Sequence, residues 1–476
     1  MYRYSNGQIS LSDFKQPVGM NLKENNRWVK KAKIIPWLEI EKRYAALFKN
    51  RNGNVAKPLQ LALGACLVQA EYGYSDEEVP LQIQENPYLQ YFCGYTGYDD
   101  EHMPFDPSLM VYFRKRLTPE VLGEINELIL KEAKKAEAAE NSDHNDDGGN
   151  GGGDNNGTLI LDATCAPVNI RFPQDVSLLD EAREKAEAII DECHKERTDR
   201  TAKKPRTYRE KAHKSSLRYM RSRKHTEKKT RGAIREQLQY LRRDLGIIQD
   251  FLKSGTVLNA RQLKLIETLQ TVYDQQKYMY DNRTHSVPNR IVSIHEPFIR
   301  PIVRGKAGKP VEFGPKLDIS VADGWTRLEY YSFDAYNESA MLQDSIERYR
   351  IREGHYPERV LADKIYRNRD NLAFCKARGI RLSGPALGRP KKDEPRNKKQ
   401  DYLDQNDRIE IERQFSLAKR KCNLGKVMTK REDTIGFTLA MSIVVLNLRK
   451  IQRATLYLFD LIFSEISPNY FLGVIQ

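Results

Sequence analysis

The run Thr158-Leu-Ile-Leu-Asp-Ala-Thr constrains this chain more than any other stretch of its sequence. Its length and apolar character predict a buried strand, and Asp162 stands inside it. A carboxylate there is costly unless it lies at an exposed end, is paired, or binds a cation. The segment just before it, residues 141–157, reads NSDHNDDGGNGGGDNNG. Gly, Asn and Asp bury too little surface to offset the entropy of ordering, so this segment is expected to be a linker. Its acids do not make a calcium loop, because the bidentate Glu at the twelfth position is missing.

The linker separates two kinds of sequence. Residues 1–140 are expected to form a helical N-terminal domain, with helices over Pro58–Tyr72 and Pro119–Ala139. Between these lie Asn86-Pro-Tyr-Leu-Gln-Tyr-Phe, Phe105-Asp-Pro-Ser and Phe113-Arg-Lys-Arg, which suit either a DNA-contacting surface or a set of core aromatics. Residues 158–476 are expected to form an α/β domain, interrupted at 176–285 by a charged helical insertion. His194 to Ala233 carries sixteen Lys and Arg against four Asp and Glu. This stretch supplies most of the net charge of +14, and a basic surface of that kind favours a polyanion, most commonly nucleic acid.

Strand signals return at Ile291-Val-Ser-Ile, Pro301-Ile-Val-Arg, Val311-Glu-Phe, Leu317-Asp-Ile-Ser-Val and Leu328-Glu-Tyr-Tyr. A helix over Ser339–Arg352, a strand Arg359-Val-Leu-Ala, another helix, a strand Gly379-Ile-Arg-Leu and a basic loop at 384–399 follow. A charged helix over Arg408–Lys421 and apolar helices end the chain. With the insertion set aside, this order predicts a mixed sheet flanked by helices.

The six cysteines form no C-x-x-C pair, which favours neither zinc nor disulfides and points to a reducing, cytoplasmic setting. Phe437 to Leu448 is too short for the roughly 20 residues of a membrane span and is expected to be a buried helix, so no membrane partner is expected.

Asp363 directly follows Val-Leu-Ala, at the end of a second buried strand, where α/β sheets gather their ligands. A third acid on a nearby helix would complete a set of hard oxygen ligands suited to Mg²⁺ or Mn²⁺. Two such ions stabilise both the attacking and the leaving oxygen of a displacement at phosphorus.

The helix Arg408-Ile-Glu-Ile-Glu-Arg-Gln-Phe-Ser-Leu-Ala-Lys fits R-x3-E-x6-K, with Arg408, Glu412 and Lys419 in register on one face. That spacing resembles the signature around the catalytic Glu of bacterial insertion-sequence transposases with an RNase H-like DDE domain. Leu161-Asp-Ala-Thr-Cys-Ala-Pro and Ala362-Asp-Lys-Ile-Tyr-Arg-Asn are similar to the two Asp motifs of that family, and Tyr74 to Arg116 looks like its helical N-terminal domain. Val303-Arg-Gly-Lys, Glu312-Phe-Gly-Pro-Lys and Ser383-Gly-Pro-Ala-Leu-Gly-Arg-Pro are also similar to it. The family often has a Tyr three residues before the Arg, where this chain has Gln405, with Tyr402 nearby.

The resemblance implies a DNA transposase in which Asp162, Asp363 and Glu412 hold two Mg²⁺ (or Mn²⁺) ions. It further implies that Arg408, Lys419 and Tyr366 bind DNA phosphates. The implied partners are terminal inverted repeats, target DNA and a second copy of the chain, at the nucleoid. A nuclease without strand transfer, or a DNA-binding protein without catalysis, remain the alternatives. Glu410 competes with Glu412 but fits the register less well, and Glu338 is expected to cap a helix or to stand near the metals. Asp318 and Asp323 read as strand and turn residues, and neither His295 nor His355 reads as a ligand.

Overall fold

The computed structural model describes residues 1–466 apart from 6, 50–52, 142–154, 198–200, 202, 307–308, 386 and 389–397. Most of the expected linker, and much of the expected basic loop at 384–399, therefore lie outside the described residues.

Seven helices come first: α1 (Arg27–Ile34), α2 (Trp37–Ala45), α3 (Leu59–Tyr72), α4 (Glu78–Glu85), α5 (Pro87–Phe92), α6 (Leu109–Arg116) and α7 (Pro119–Asn141). Strand β1 (Thr158–Cys165) leads to α8 (Asp175–Lys195), α9 (Arg209–Met220), α10 (Glu227–Lys253) and α11 (Ala260–Asn282). Strands β2 (Pro301–Lys306), β3 (Lys309–Phe313), β4 (Lys316–Ala322) and β5 (Trp325–Ser332) precede α12 (Leu342–Glu353). The chain ends with β6 (Arg359–Leu361), α13 (Arg369–Ala377), β7 (Arg381–Leu382), α14 (Lys398–Lys421) and α15 (Glu432–Ile466).

Local chemistry sets many of these ends. Asn86 caps α5 by accepting from the Tyr88 amide, and Pro87 fills the first helical position, where no donor is needed. Asn259 and Gln262 close a reciprocal capping box on α11. Gly73 ends α3 at φ +75°, a conformation that a side chain would strain.

The chain divides into two compact units. The first comprises Met1–Pro167, Lys316–Ser332 and Tyr336–Gln476. Its five-stranded sheet has the order β5-β4-β1-β6-β7. Strand β1 runs antiparallel to β4 and parallel to β6; β4 pairs antiparallel with β5, and β6 parallel with β7. One face buries Leu159, Leu161 and Val360 against Leu342 and Ile346 of α12. The other buries Ile160, Val321 and Leu361 against Ile411 and Phe415 of α14.

The N-terminal helices belong to this same unit, and buried polar contacts join them to the sheet. Asn447 of α15 donates to Asn126 of α7 at 2.8 Å and accepts from the Thr326 amide of β5 at 3.0 Å. Arg327 of β5 pairs with Glu127 of α7 at 2.7 Å. Lys31 of α1 reaches Glu71 of α3 at 2.9 Å, and Glu71 reaches Arg449 of α15 at 2.8 Å. The N-terminal helices are thus joined to the sheet within one unit.

Between Asn86 and Arg116 the core reading holds for four of the aromatics, while Tyr112 is exposed. Tyr91, Phe92, Phe105 and Phe113 are all buried, and Arg114 is occupied by Asp76 and Gln69. α15 is longer than the stretch from Phe437 to Leu448 suggests. Its portion Glu432–Arg453 is long and apolar enough to cross a membrane, yet 83% of its apolar window is buried inside the protein. Packing against α3, α7 and β5 accounts for that apolarity.

The second unit, Val168–Pro315 with Phe333–Ala335, is larger than the expected insertion. α8, α10 and α11 enclose a core that includes Leu179, Ile190, Leu241, Ile248 and Leu269. Ile291 and Ile294 join that core from irregular chain, so the expected strand at 291–294 does not form. Side chains in need of burial found a helical layer instead of a sheet. Strands β2 and β3 form a separate two-stranded sheet and do not extend the main one.

Candidate active site

Strand register determines where two of the three acids stand. Ile160 of β1 pairs in parallel with Leu361, the last residue of β6; Asp162 follows two residues on within β1, and Asp363 two residues on in the chain just past β6. Side chains alternate along a strand, so Asp162 shares the face of Ile160. That face is covered by α14, where Ile411 packs on Ile160 and Leu361. Glu412 is the next residue along the helix. The Arg408 guanidinium bridges the two elements, 3.9 Å from Asp162 Oδ2 and 3.5 Å from Glu412 Oε1.

The electrostatics follow from this placement. Burial pushes Asp162 up to about 6, the Ala163 amide and Arg408 oppose that rise, and Glu338 and Asp363 add to it. The backbone amide of Ala163 donates to Asp162 Oδ1 at 2.8 Å. Arg408 remains beyond hydrogen-bond distance of Asp162. Asp363 is exposed and caps a short 3-10 turn through the Lys364 amide at 2.7 Å. Glu412 is 59% exposed. Lys419 lies in the last turn of α14.

The helix is held in place by a residue that the sequence did not single out. Asp404, buried near the start of α14, receives two hydrogen bonds from Arg381 of β7, at 2.6 and 2.8 Å. Arg359 of β6 lies 3.4 Å away. Burial alone would raise the Asp404 carboxyl, but Arg381 and Arg359 hold it below the usual range. This clamp pins α14 to β6, the strand that leads to Asp363, and to its neighbour β7.

Of three other acids, only Glu338 departs from its sequence reading; Asp318 lies in β4 as expected, and Glu410 is not available to the site. Glu338 does not cap its helical turn; Asn337 does, and Glu338 pairs with Lys316 at 2.7 Å. Asp318 is 2% exposed, opposite Ala163 and therefore on the α12 face. Burial pushes it up to about 7, and one of its oxygens lacks a hydrogen-bond partner. Glu410 is taken by Arg413 at 2.7 Å.

Tyr366 requires a correction. It is 1% exposed, in the α12 core, with its hydroxyl 3.4 Å from Asp318. Its aromatic bulk served the core and left no face for a DNA phosphate.

Among the described residues, three ligand atoms of Asp180, Glu184 and His213 lie within 4.8 Å of one another. Asp162, Asp363 and Glu412 are not drawn that close. In the Asp180 group, however, buried Arg183 already holds Asp180 at 2.6 Å and approaches Glu184 at 3.6 Å. That group is an ion-pair network with its cation in place. Asp162 has no comparable partner.

Comparison with known families adds to this geometry. Residues 360–449 match the family described as Transposase DDE domain, a span that holds Asp363, Arg408, Glu412 and Lys419. Residues 18–116 match Transposase domain (DUF772), covering α1 to α6. Asp162 lies outside both spans. An uncharacterised protein of Rhizobium meliloti, ORF8 in the nfe locus, is 31% identical over 123 residues, 26% of this chain. The chain spans 58% of that relative's length. No solved structure matches. One transposase match covers the N-terminal helices and a second covers the segment that holds Asp363 and Glu412, so the chain is similar to insertion-sequence transposases of the DDE group in both regions.

Proposed function

We propose that this chain cuts DNA at the ends of a mobile element and joins the freed ends to target DNA. The observation that carries the reading is the placement of Asp162 on β1 beside two other acids: Asp363, just past the end of β6 and near enough to raise the Asp162 carboxyl, and Glu412, linked to Asp162 through Arg408. The strand order β5-β4-β1-β6-β7, with β1 central and an acid at the end of β6, supports an RNase H-like catalytic fold.

These three side chains suit hard divalent cations. They are carboxylates, Asp162 is largely desolvated, and its charge is only partly answered by one amide and a distant guanidinium. Asp162 would ligate two Mg²⁺ or Mn²⁺ ions, with Asp363 and Glu412 each completing one site. Ions bound there would stabilise the attacking and the leaving oxygen at phosphorus. Arg408 is displaced from between the acids toward the phosphate, and Lys419 binds a phosphate further along the same helix. Water first attacks the end phosphodiester, and a 3′-oxygen leaves and takes up a proton. The resulting 3′-OH then attacks a target phosphate, where another 3′-oxygen leaves.

The second unit supplies non-specific DNA affinity. Lys211, Lys214, Arg218, Arg221, Arg223, Lys224 and Lys228 are all exposed on α9, the turn after it and the start of α10. Bringing two ends together calls for two copies of the chain, acting where the chromosome lies.

The test is a strand-transfer assay. Full-length protein, Mg²⁺ and a pre-cleaved duplex from DNA flanking the gene should yield joined products with plasmid target, and Glu412→Gln should lower the yield by at least about a hundredfold. Nicking of intact ends without joining would identify a nuclease instead, and binding without either product would remove the catalytic reading.

A further inference from the structure

A recess of about 740 Å³ lies in the first unit, between α3, α6 and the segment that joins α14 to α15. Three kinds of wall meet in it. Tyr74 presents an aromatic ring that stacks on Tyr72, centroids 5.0 Å apart at 28°, and Arg27 lies 5.0 Å over the Tyr72 ring. Phe437 and Met441 form an apolar floor. Lys426 and Lys430 line it as exposed cations, and among the described residues neither has an ion-pair partner. Arg114, only 7% exposed, also lines the recess, and its Nε has no hydrogen-bond acceptor although Asp76 and Gln69 hold its other nitrogens.

The recess begins where α14 ends. Asn423 lines it and donates to the Ala70 carbonyl of α3 at 3.0 Å. Glu412 lies nine residues before the end of that helix, about 14 Å at 1.5 Å per residue. The last turn between them carries Lys419, Arg420 and Lys421. A strand whose phosphates follow the helix from Glu412 therefore reaches the recess within a few nucleotides. The volume is that of a small-ligand site and admits one nucleotide but not a duplex. A base entering it gives up its stacking in the DNA. The aromatic ring and apolar floor return that stacking, and the two lysines meet the phosphate.

We propose that this recess holds one unstacked nucleotide of the DNA strand being processed, its base on Tyr74 and its phosphate on Lys426 and Lys430. The proposal rests on the transposase reading of the Asp162 site and adds a second place where the chain grips its substrate.

The test scans abasic sites, one position at a time, through an end duplex bound by the full-length Asp162→Asn protein, which leaves the DNA uncut. One position should lose roughly 5- to 100-fold in affinity when its base is removed. Tyr74→Ala should lose a similar factor on intact DNA, and the two losses should not multiply when combined. Tyr74→Phe should bind as the parent does. A second arm pairs Lys430→Gln with a methylphosphonate at the same nucleotide, again without multiplication, and serves if Tyr74→Ala fails to fold. A flat abasic scan, or losses that multiply, would overturn the recess proposal while DNA binding kept the transposase reading alive. Failure of the parent protein to bind any end duplex would overturn both.

Discussion

Asp162→Asn should abolish DNA cleavage, by at least about a thousandfold, while end binding stays within a few-fold of the parent protein. The two effects separate because the phosphates are met by cations and Asp162 meets none of them. The carboxylate is desolvated on β1, held by the Ala163 amide at 2.8 Å and faced by Arg408 at 3.9 Å. Asparagine keeps the shape and the acceptor oxygen but not the charge. Because burial pushes the Asp162 carboxyl up to about 6, the ionised form costs the folded state free energy above that pH. At pH 8 the variant should therefore melt no lower than the parent. Single-turnover cleavage of a labelled end duplex, beside a gel-shift titration and a thermal melt, measures all three. Cleavage at the parental rate would remove Asp162 from the chemistry, and joint loss of binding and melting temperature would make its role structural.

A large pH effect is expected in the second unit. Asp244 of α10 is 0% exposed, and neither of its oxygens has a hydrogen-bond partner. Burial pushes its carboxyl up to about 7, and Glu187 adds to the rise against the pull of Arg183, Arg243 and Arg209. In the unfolded chain the same group ionises near 3.8, the ordinary value. Between these values the unfolded state releases its proton first, so stability falls as pH rises through the window and remains low above it. Three pH units correspond to at most about 4 kcal/mol. Asp244→Asn removes the titration. It should match the parent near pH 4 and exceed it by roughly 2–4 kcal/mol at pH 8. Hydrogen exchange of α8 and α10 peptides in the full-length protein reads the unit directly. A variant less stable than the parent at pH 8 would mean that the carboxylate is ionised and paired in the fold.

Much of the candidate site was legible because its signals are local. An apolar strand with one acid in it, an acid just after a second apolar strand, and a helix with Arg408 and Glu412 one turn apart can each be read within a dozen residues. Their association was not. It depends on the pairing of Ile160 with Leu361 and on Asp404, which looks like any other acid on a charged helix until Arg359 and Arg381 meet it. The same limit explains Tyr366: an aromatic beside a site acid looks available, and only the α12 core shows that it is spent. Asn337 and Glu338 compete for one cap, and the shorter side chain won because it reaches the Ser339 amide. Apolar content at 291–294 was read correctly as buried, but burial alone does not choose a strand over irregular chain beneath helices. The Tyr91 and Phe92 rings fell the same way, since an aromatic in a helix is more often core than contact.

The most direct test of the account is anomalous diffraction from crystals of the full-length protein with an end duplex, soaked in Mn²⁺. The account predicts manganese at roughly 2.0–2.3 Å from carboxylate oxygens of Asp162, Asp363 and Glu412, with Arg408 turned toward a phosphate. Manganese held at Asp180, Glu184 and His213, with none at the sheet face under α14, would contradict it.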